Sequence, residues 1–164
     1  MKLKKDLLIA AAVGIAACTQ VEQVKPEQRQ ATTQVSQSQL ARNKANVLAF
    51  YEMAFNQHKV AEATEKYIGK TYAQYNPTVA DGRQAFVEAF APFLKQHPES
   101  RAEIKRVSAD GDLVWLHVHS KMDAKDRGEA VVDIFQLDND GKIIAHWDVI
   151  QAVPEKTASG RGMF

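Results

Sequence analysis

Histidine and aspartate recur at close spacing in the second half of this chain. LVWLHVH (Leu113 to His119) carries His117 and His119, VVDIFQ (Val131 to Gln136) carries Asp133, and KIIAHWDVIQAVP (Lys142 to Pro154) carries His146 and Asp148. All three stretches are rich in β-branched and aromatic residues and read as strands. Successive side chains of a strand point to opposite faces. Trp115, His117 and His119 therefore share one face, opposite Val114, Leu116 and Val118. Asp133 shares its face with Val131 and Phe135, opposite Val132 and Ile134. In the last stretch His146 and Asp148 share a face and Trp147 takes the other.

A few polar groups converging among large apolar ones is the usual make-up of a small-molecule pocket. The chemistry they offer is enolate chemistry: a base takes a proton beside a carbonyl and a donor holds the developing oxyanion. Burial among apolar residues raises a carboxylate's pKa, so it can act as acid or base near neutral pH. If the Trp115, His117 and His119 face lies beside Asp133, these residues form one such set, and Asp148 is a further candidate. An Asp–His pair of this kind also serves as a satisfied structural hydrogen bond, and both readings stand. HVH admits a metal reading too, since two histidines at i and i+2 can both ligate and His146 or Asp148 can complete three ligands.

The elements that must position these groups fall into two halves. Residues 40–57 carry Leu40, Val47, Leu48, Tyr51, Ala54 and Phe55 at helical spacing. A shorter helix is predicted over Lys59 to Tyr67, ending near Gly69. TYAQYNP is extended and stops at Asn76-Pro77. Asp81-Gly82-Arg83-Gln84 offers an N-cap to a third helix bearing Phe86, Phe90, Phe93 and Leu94, with Pro92 expected to kink or shorten it. After His97-Pro98 the period changes to that of strands, with turns at Asp110-Gly111 and at Asp138-Asn139-Asp140-Gly141. The expectation is an α+β fold: three N-terminal helices packed on a curved, mainly antiparallel four-stranded meander, with one early short extended segment. The strands are apolar on both faces and three helices cover only one. A second subunit is the simplest cover for the other, giving a homodimer through Val114, Leu116, Val118, Val132 and Ile134, or through the opposite face if the parity is reversed.

The chain has 164 residues, 45% hydrophobic and 25% charged, which suits one domain with short extensions. A net charge of +1 gives no electrostatic reason to expect a nucleic-acid partner. MKLKKD followed by LLIAAAVGIAA (Leu7 to Ala17) has the form of a secretory signal, too short and wrongly flanked for a stable membrane span. The one cysteine, Cys18, follows directly. This resembles a bacterial lipoprotein signal, which implies removal of residues 1–17, lipidation of Cys18, and residence in the cell envelope on the periplasmic side. The mature chain would hold no other cysteine, so neither a disulfide nor a catalytic thiol is available to it. Residues 18–39 are rich in Gln, Thr, Ser and Val without apolar periodicity and read as a flexible tether. The domain is expected over 40–154, and residues 155–164 form a small polar tail ending in Met163-Phe164 that is either disordered or folded over a pocket mouth.

Four stretches carry a family resemblance: YAQYNPTVADGRQAF (Tyr72 to Phe86), GDLVWLHVH (Gly111 to His119), VVDIFQLDNDGKI (Val131 to Ile143) and AHWDVIQAVP (Ala145 to Pro154). Together they resemble the SnoaL-like family, named for polyketide cyclases, within the nuclear-transport-factor-2-like superfamily. The resemblance covers about residues 40–154 and implies a cone-shaped α+β fold with a pocket between helices and sheet. It also implies a site without metal or other cofactor, in which an acid/base aspartate works with a histidine from the preceding strand. Asp133 and His119 match that pattern best, with His117 second and Asp148 a further candidate. Tyr75, Asn76, Trp115, Phe135, His146 and Trp147 are the expected ligand contacts. The chain departs from the family pattern at Tyr75, where His is usual, and at Ala145, where Glu is common; a tyrosine donates a hydrogen bond but does not titrate near neutral pH.

Three functional readings follow as expectations. One is cofactor-free acid/base catalysis of cyclase, isomerase or lyase type on a small, mostly apolar carbonyl compound. Another is a non-catalytic envelope lipoprotein that binds a small apolar ligand in the same cavity; a purely structural envelope role is the third reading. The N-terminal reading has its own check. Mass spectrometry of the protein extracted from its native membrane is expected to show a chain beginning at Cys18 with added lipid mass, and an unlipidated chain cleaved elsewhere would refute it.

Overall fold

The computed structural model describes residues 26–164, with side chains described from residue 37. The Cys18 and signal-peptide expectations lie outside the described residues. Helix α1 spans Pro26–Tyr51, runs into one turn of π-helix at Glu52–Asn56, and is followed by α2 (Val60–Tyr67) and α3 (Arg83–Gln96). The strands are β1 (Ile68–Gln74), β2 (Arg101–Asp110), β3 (Leu113–Lys121), β4 (Glu129–Leu137) and β5 (Ile143–Ala152).

The α+β expectation holds, with two corrections. The first helix begins at Pro26, so part of the stretch read as a flexible tether is helical. That part holds Gln, Arg, Ala and Ser but no glycine, and Pro26 stands at the first helical position, where its missing N–H is no loss. The sheet has five strands, not four, in the order β1-β5-β4-β3-β2. The early extended segment is the fifth: β1 pairs parallel with β5, while the other pairs are antiparallel.

Helix α3 continues to Gln96 past Pro92, so the proline does not end it. Its N-cap residue is Gly82 (φ 96°) and takes no side-chain cap. Asp81, expected to cap it, instead accepts the backbone N–H of Gln74 at 2.7 Å, which ties the turn before α3 to the end of β1. Asn56, at the close of the π-turn, both accepts from Ala102 N–H (2.9 Å) and donates to Ala102 C=O (3.1 Å), mimicking a strand partner and fastening α1 to β2.

The register decides which face is inside. Phe135 pairs with His146, Asp133 with Asp148, and Val131 with Ile150 across β4 and β5. Across β3 and β4, Val114 pairs with Phe135, Leu116 with Asp133 and Val118 with Val131. These residues form the helix-covered face, and Val114, Leu116 and Val118 are fully buried there. The expected dimer face is therefore corrected for those three residues. The outer face carries Trp115, His117 and His119 on β3, Val132 and Ile134 on β4, and Trp147 and Val149 on β5. Phe50 is the hub of the inner packing, in contact with Phe55, Tyr67, Phe86 and Phe135 at ring-centroid distances of 5.7 to 6.4 Å.

The tail does not close over the pocket. Phe164 lies on the outer face, its ring 4.3 Å from that of His119 and 5.3 Å from that of His117, with Lys105 Nζ 5.5 Å from its centroid.

Candidate active site

A cavity of about 580 Å³ opens between the helices and the inner face of the sheet. Its walls are mainly apolar, with Phe55, Phe86 and Phe90 facing Val131, Phe135 and Ile150. Tyr51, Asn76, Asp133, His146 and Asp148 supply polar groups to the same walls.

Asp133 is 4% exposed and both its oxygens are occupied. Tyr51 Oη donates to Oδ2 at 2.9 Å, and His146 Nε2 lies 2.9 Å from Oδ1. The other ring nitrogen of His146, Nδ1, lies 2.9 Å from Gln74 Oε1. Gln74 in turn donates through Nε2 to Tyr72 Oη at 3.0 Å. Asp148 is set differently. Its Oδ2 accepts from Asn76 Nδ2 at 2.7 Å, and Oδ1 takes no protein donor among the described residues. The orientation of Asn76 is fixed by its own turn, because Thr78 N–H donates to Asn76 Oδ1 at 2.8 Å. An N–H can only donate, so that atom is the oxygen and the amide nitrogen faces Asp148.

Burial pushes the Tyr51 phenol well above its ordinary pKa of 10.0, and the charge and hydrogen bond of Asp133 push it further, with a smaller contribution from Asp148. Tyr72 is raised as well, by burial first; the Gln74 hydrogen bond opposes this, and the charges of Asp133 and Asp148 add to it. Both phenols therefore keep their protons and act as neutral polar groups beside the carboxylates.

Donor atoms of Asp133, His146 and Asp148 all lie within 4.8 Å of one another, so these three residues are where a metal ion would bind if one were held. His146 Nε2 and Asp133 Oδ1 already engage each other, which a metal would have to displace.

Of the residues singled out from sequence, Asp133, Asp148, His146, Asn76 and Phe135 come together on the cavity wall. His117, His119, Trp115, Trp147 and Tyr75 do not. His117 and His119 pair across β4 with Val132 and Ala130, so their side chains lie on the sheet face opposite Asp133. There His117 Nδ1 meets an Arg106 guanidinium nitrogen at 2.8 Å, and His119 Nε2 lies 2.8 Å from Arg127 C=O. Trp147 stacks on Tyr75 at 4.5 Å, with ring planes 8° apart. The partner of Asp133 is thus His146 on the following strand, not His119 on the preceding one. The sequence reading missed Tyr51 and Gln74 as site residues. Their only sequence signals are a phenol within an apolar helical stripe, which needs a partner once buried, and a glutamine two residues before Asn76.

The family profile described as "SnoaL-like domain" matches residues 47–146, and the chain belongs to this family. Solved structures share the fold. One is a protein from Agrobacterium tumefaciens described as an isomerase of the SnoaL-like family, at 13% identity over 70% of this chain and 99% of that one, with a TM-score of 0.56. Another is a nuclear-transport-factor-2-like protein of unknown function from Mesorhizobium loti, at 19% identity over 70% and 94% of the two chains, with a TM-score of 0.58. A third, from Acidithiobacillus ferrooxidans and described as a polyketide cyclase, matches at 15% identity over 67% and 88%, with a TM-score of 0.55. No curated protein matches the chain.

The tyrosines give a pH-dependent prediction. Raised pKa values in the fold mean that unfolded tyrosines lose their protons first as pH rises. The stability contributed by Tyr51 and Tyr72 is then fully present below about pH 10 and lost above it. Tyr51→Phe should flatten this alkaline loss, while costing about 1–3 kcal/mol at neutral pH by leaving Asp133 Oδ2 without its donor. Urea unfolding of both proteins across about pH 7 to 11 measures this; a variant with the wild-type alkaline slope would contradict it.

Proposed function

We propose that this SnoaL-like protein performs cofactor-free acid/base chemistry, of isomerase, lyase or cyclase type, on a small and mostly apolar carbonyl compound. The observation that carries the reading is Asp148: a carboxylate on the wall of an apolar cavity, aimed by Asn76 through one oxygen and open at the other. Asp148 Oδ1 takes a proton from the carbon beside the ligand's carbonyl, and the C–H electron pair becomes the enolate. The Asn76 amide, which keeps a second N–H beyond the one given to Asp148, is the neutral donor in the wall that can meet the enolate oxygen. Return of the proton to another carbon gives isomerisation, and attack of the enolate on a second carbonyl gives an aldol-type cyclisation. Neither outcome needs an oxidant or a reductant. Asp133, with both oxygens occupied and almost no exposure, is the orienting partner and not the base.

The saturation of Asp133 and His146 also favours a second reading, in which the cavity only holds an apolar ligand. Hydrogen–deuterium exchange separates the two. Small apolar ketones incubated with the protein in D2O should exchange protons beside their carbonyl, followed by NMR. Asp148→Asn should slow that exchange by about 10²–10⁴-fold with ligand affinity and melting temperature near wild type. Ligand binding with no exchange above background would leave the binding reading standing.

The same proposal places the protein in the cell envelope through Cys18, as a homodimer. Support for the dimer comes from the outer sheet face, where Val132 is 42% and Val149 71% exposed, flanked by Ile134 and Trp147. A closed two-fold contact would cover this strip beside the part already occupied by Phe164. Val149→Asp should convert a dimeric mass to a monomeric one in light scattering without loss of the fold; a wild-type chain that is monomeric at micromolar concentration would exclude this interface.

A further inference from the structure

The hydrogen bonds around His146 fix where its protons lie. Asn76 N–H donates to Gln74 Oε1 at 3.0 Å. A backbone N–H has no acceptor role, so this side-chain atom is an oxygen, and it can only accept from His146 Nδ1. Nδ1 therefore carries a hydrogen. At the far end Tyr51 keeps its phenolic proton and donates it to Asp133 Oδ2, so Asp133 offers only an acceptor there. Between these two fixed ends, His146 Nε2 and Asp133 Oδ1 face each other at 2.9 Å. Without a hydrogen between them two lone pairs would collide, and with two hydrogens two donors would. One proton satisfies the contact, whether it rests on the imidazole or on the carboxyl.

We propose that Gln74 is a positioning residue, which locks His146 as the Nδ1–H form and thereby makes the buried Asp133–His146 pair a holder of one proton facing the cavity. This rests on the acid/base reading of the site and deepens it. The pair is neutral as a whole, so Asp148 is the one uncompensated carboxylate among the three. As the enolate forms at Asp148, the pair can pass its proton to the enolate oxygen. The imidazole and the carboxylate are then left with opposed lone pairs, so the hydroxyl proton returns to the pair as the enol collapses, while Asp148 delivers its proton to carbon. No atom or electron is gained or lost by the protein over the cycle. The alternative, in which His146 carries its hydrogen on Nε2 alone, would set a bare Nδ1 against Gln74 Oε1. Gln74 cannot relieve this by turning its amide, because Asn76 N–H holds the oxygen and Tyr72 Oη receives the nitrogen.

The test reads the histidine directly and needs no substrate. Full-length protein labelled with nitrogen-15 at histidine is assigned by the loss of one ring signal in His146→Gln. His146 Nδ1 should show the shift of a protonated ring nitrogen wherever the protein is folded. Gln74→Leu should release the lock, moving Nδ1 toward the unprotonated shift as tautomers mix. Gln74→Glu, which still offers an oxygen to both N–H groups, should restore the wild-type signal. A wild-type His146 with a bare Nδ1 overturns the proposal even if every variant fails to fold. So does a Gln74→Leu protein that folds with Nδ1 still fully protonated. If the lock holds while Asp148→Asn leaves ketone exchange unchanged, the acid/base reading fails and the proton assignment stands.

Discussion

The structure depends on satisfying one buried carboxylate. Asp133 sits in the middle of β4 at 4% exposure with aromatic rings around it. An unpartnered charge in such surroundings would cost several kcal/mol. Its partners come from opposite ends of the fold: Tyr51 from the last turn of α1 and His146 from β5. The helix layer and the sheet are thus joined by a polar contact as well as by apolar packing. The Tyr51 hydroxyl must reach Oδ2, which limits how α1 can shift along the sheet, and the π-turn that follows places Phe55 against the same Tyr51 ring at 4.7 Å. π-turns recur where a helix must present side chains out of its regular phase. Here the turn stands between Tyr51 and Asn56, the two residues that fasten the helix to β4 and to β2.

The same constraint fixes β5. The last strand changes register against β4 between Gln136 and Leu137. Side-chain parity makes a one-residue slip equivalent to turning the strand over. Had β5 paired one residue out of step, Trp147 would face the cavity and both His146 and Asp148 would face outward. Asp133 would then be left without its imidazole. The parallel pairing of β1 secures the arrangement from the other edge, through Tyr75 N–H to His146 C=O at 2.9 Å and through the Gln74 side chain to the His146 ring. Parallel pairing of β1 is also what brings the Asn76 turn beside Asp148, residues 72 apart in sequence.

The element types were legible because apolar period and turn residues speak locally. The Asp138-to-Gly141 turn and the helix carrying Phe86 and Phe90 were visible in the residues, and so were Asp133 and Asp148 as candidates, but strand parity alone did not say which face Asp148 takes. The inner face of β3 was not. LVWLHVH has large side chains at every position, so its alternation offers two equally apolar faces, and the more chemically reactive one drew attention. The fold buries Val114, Leu116 and Val118, and leaves His117 and His119 to Arg106, to a backbone carbonyl and to Phe164. Contacts between Tyr51 and Asp133, 82 residues apart, or between Gln74 and His146, 72 apart, have no local signature. They arise from how layers stack, which pattern in one segment does not encode. The absence of histidine at Tyr75 also reads differently in three dimensions: that side chain stacks on Trp147 at the outer face, so the substitution leaves the imidazole of the cavity untouched.

Asp133 and Asp148 stand directly opposite each other on neighbouring strands, so their different environments cannot come from the sheet itself. They come from what each carboxylate meets across the cavity. Asp133 points to where α1 and the imidazole converge and is closed at both oxygens. Asp148 points toward the Asn76-Pro77-Thr78 turn, a loop whose single amide reaches one oxygen only. A strand pair thus carries one carboxylate held by layers and one held by a loop. The first is spent on orientation, and the second keeps an open oxygen against an apolar wall. This explains why an apolar last strand has two ionisable groups on one face: His146 partners the carboxyl group buried on the neighbouring strand, and Asp148, one pleat further along, takes a half-buried position on the cavity wall that leaves one of its oxygens unsatisfied.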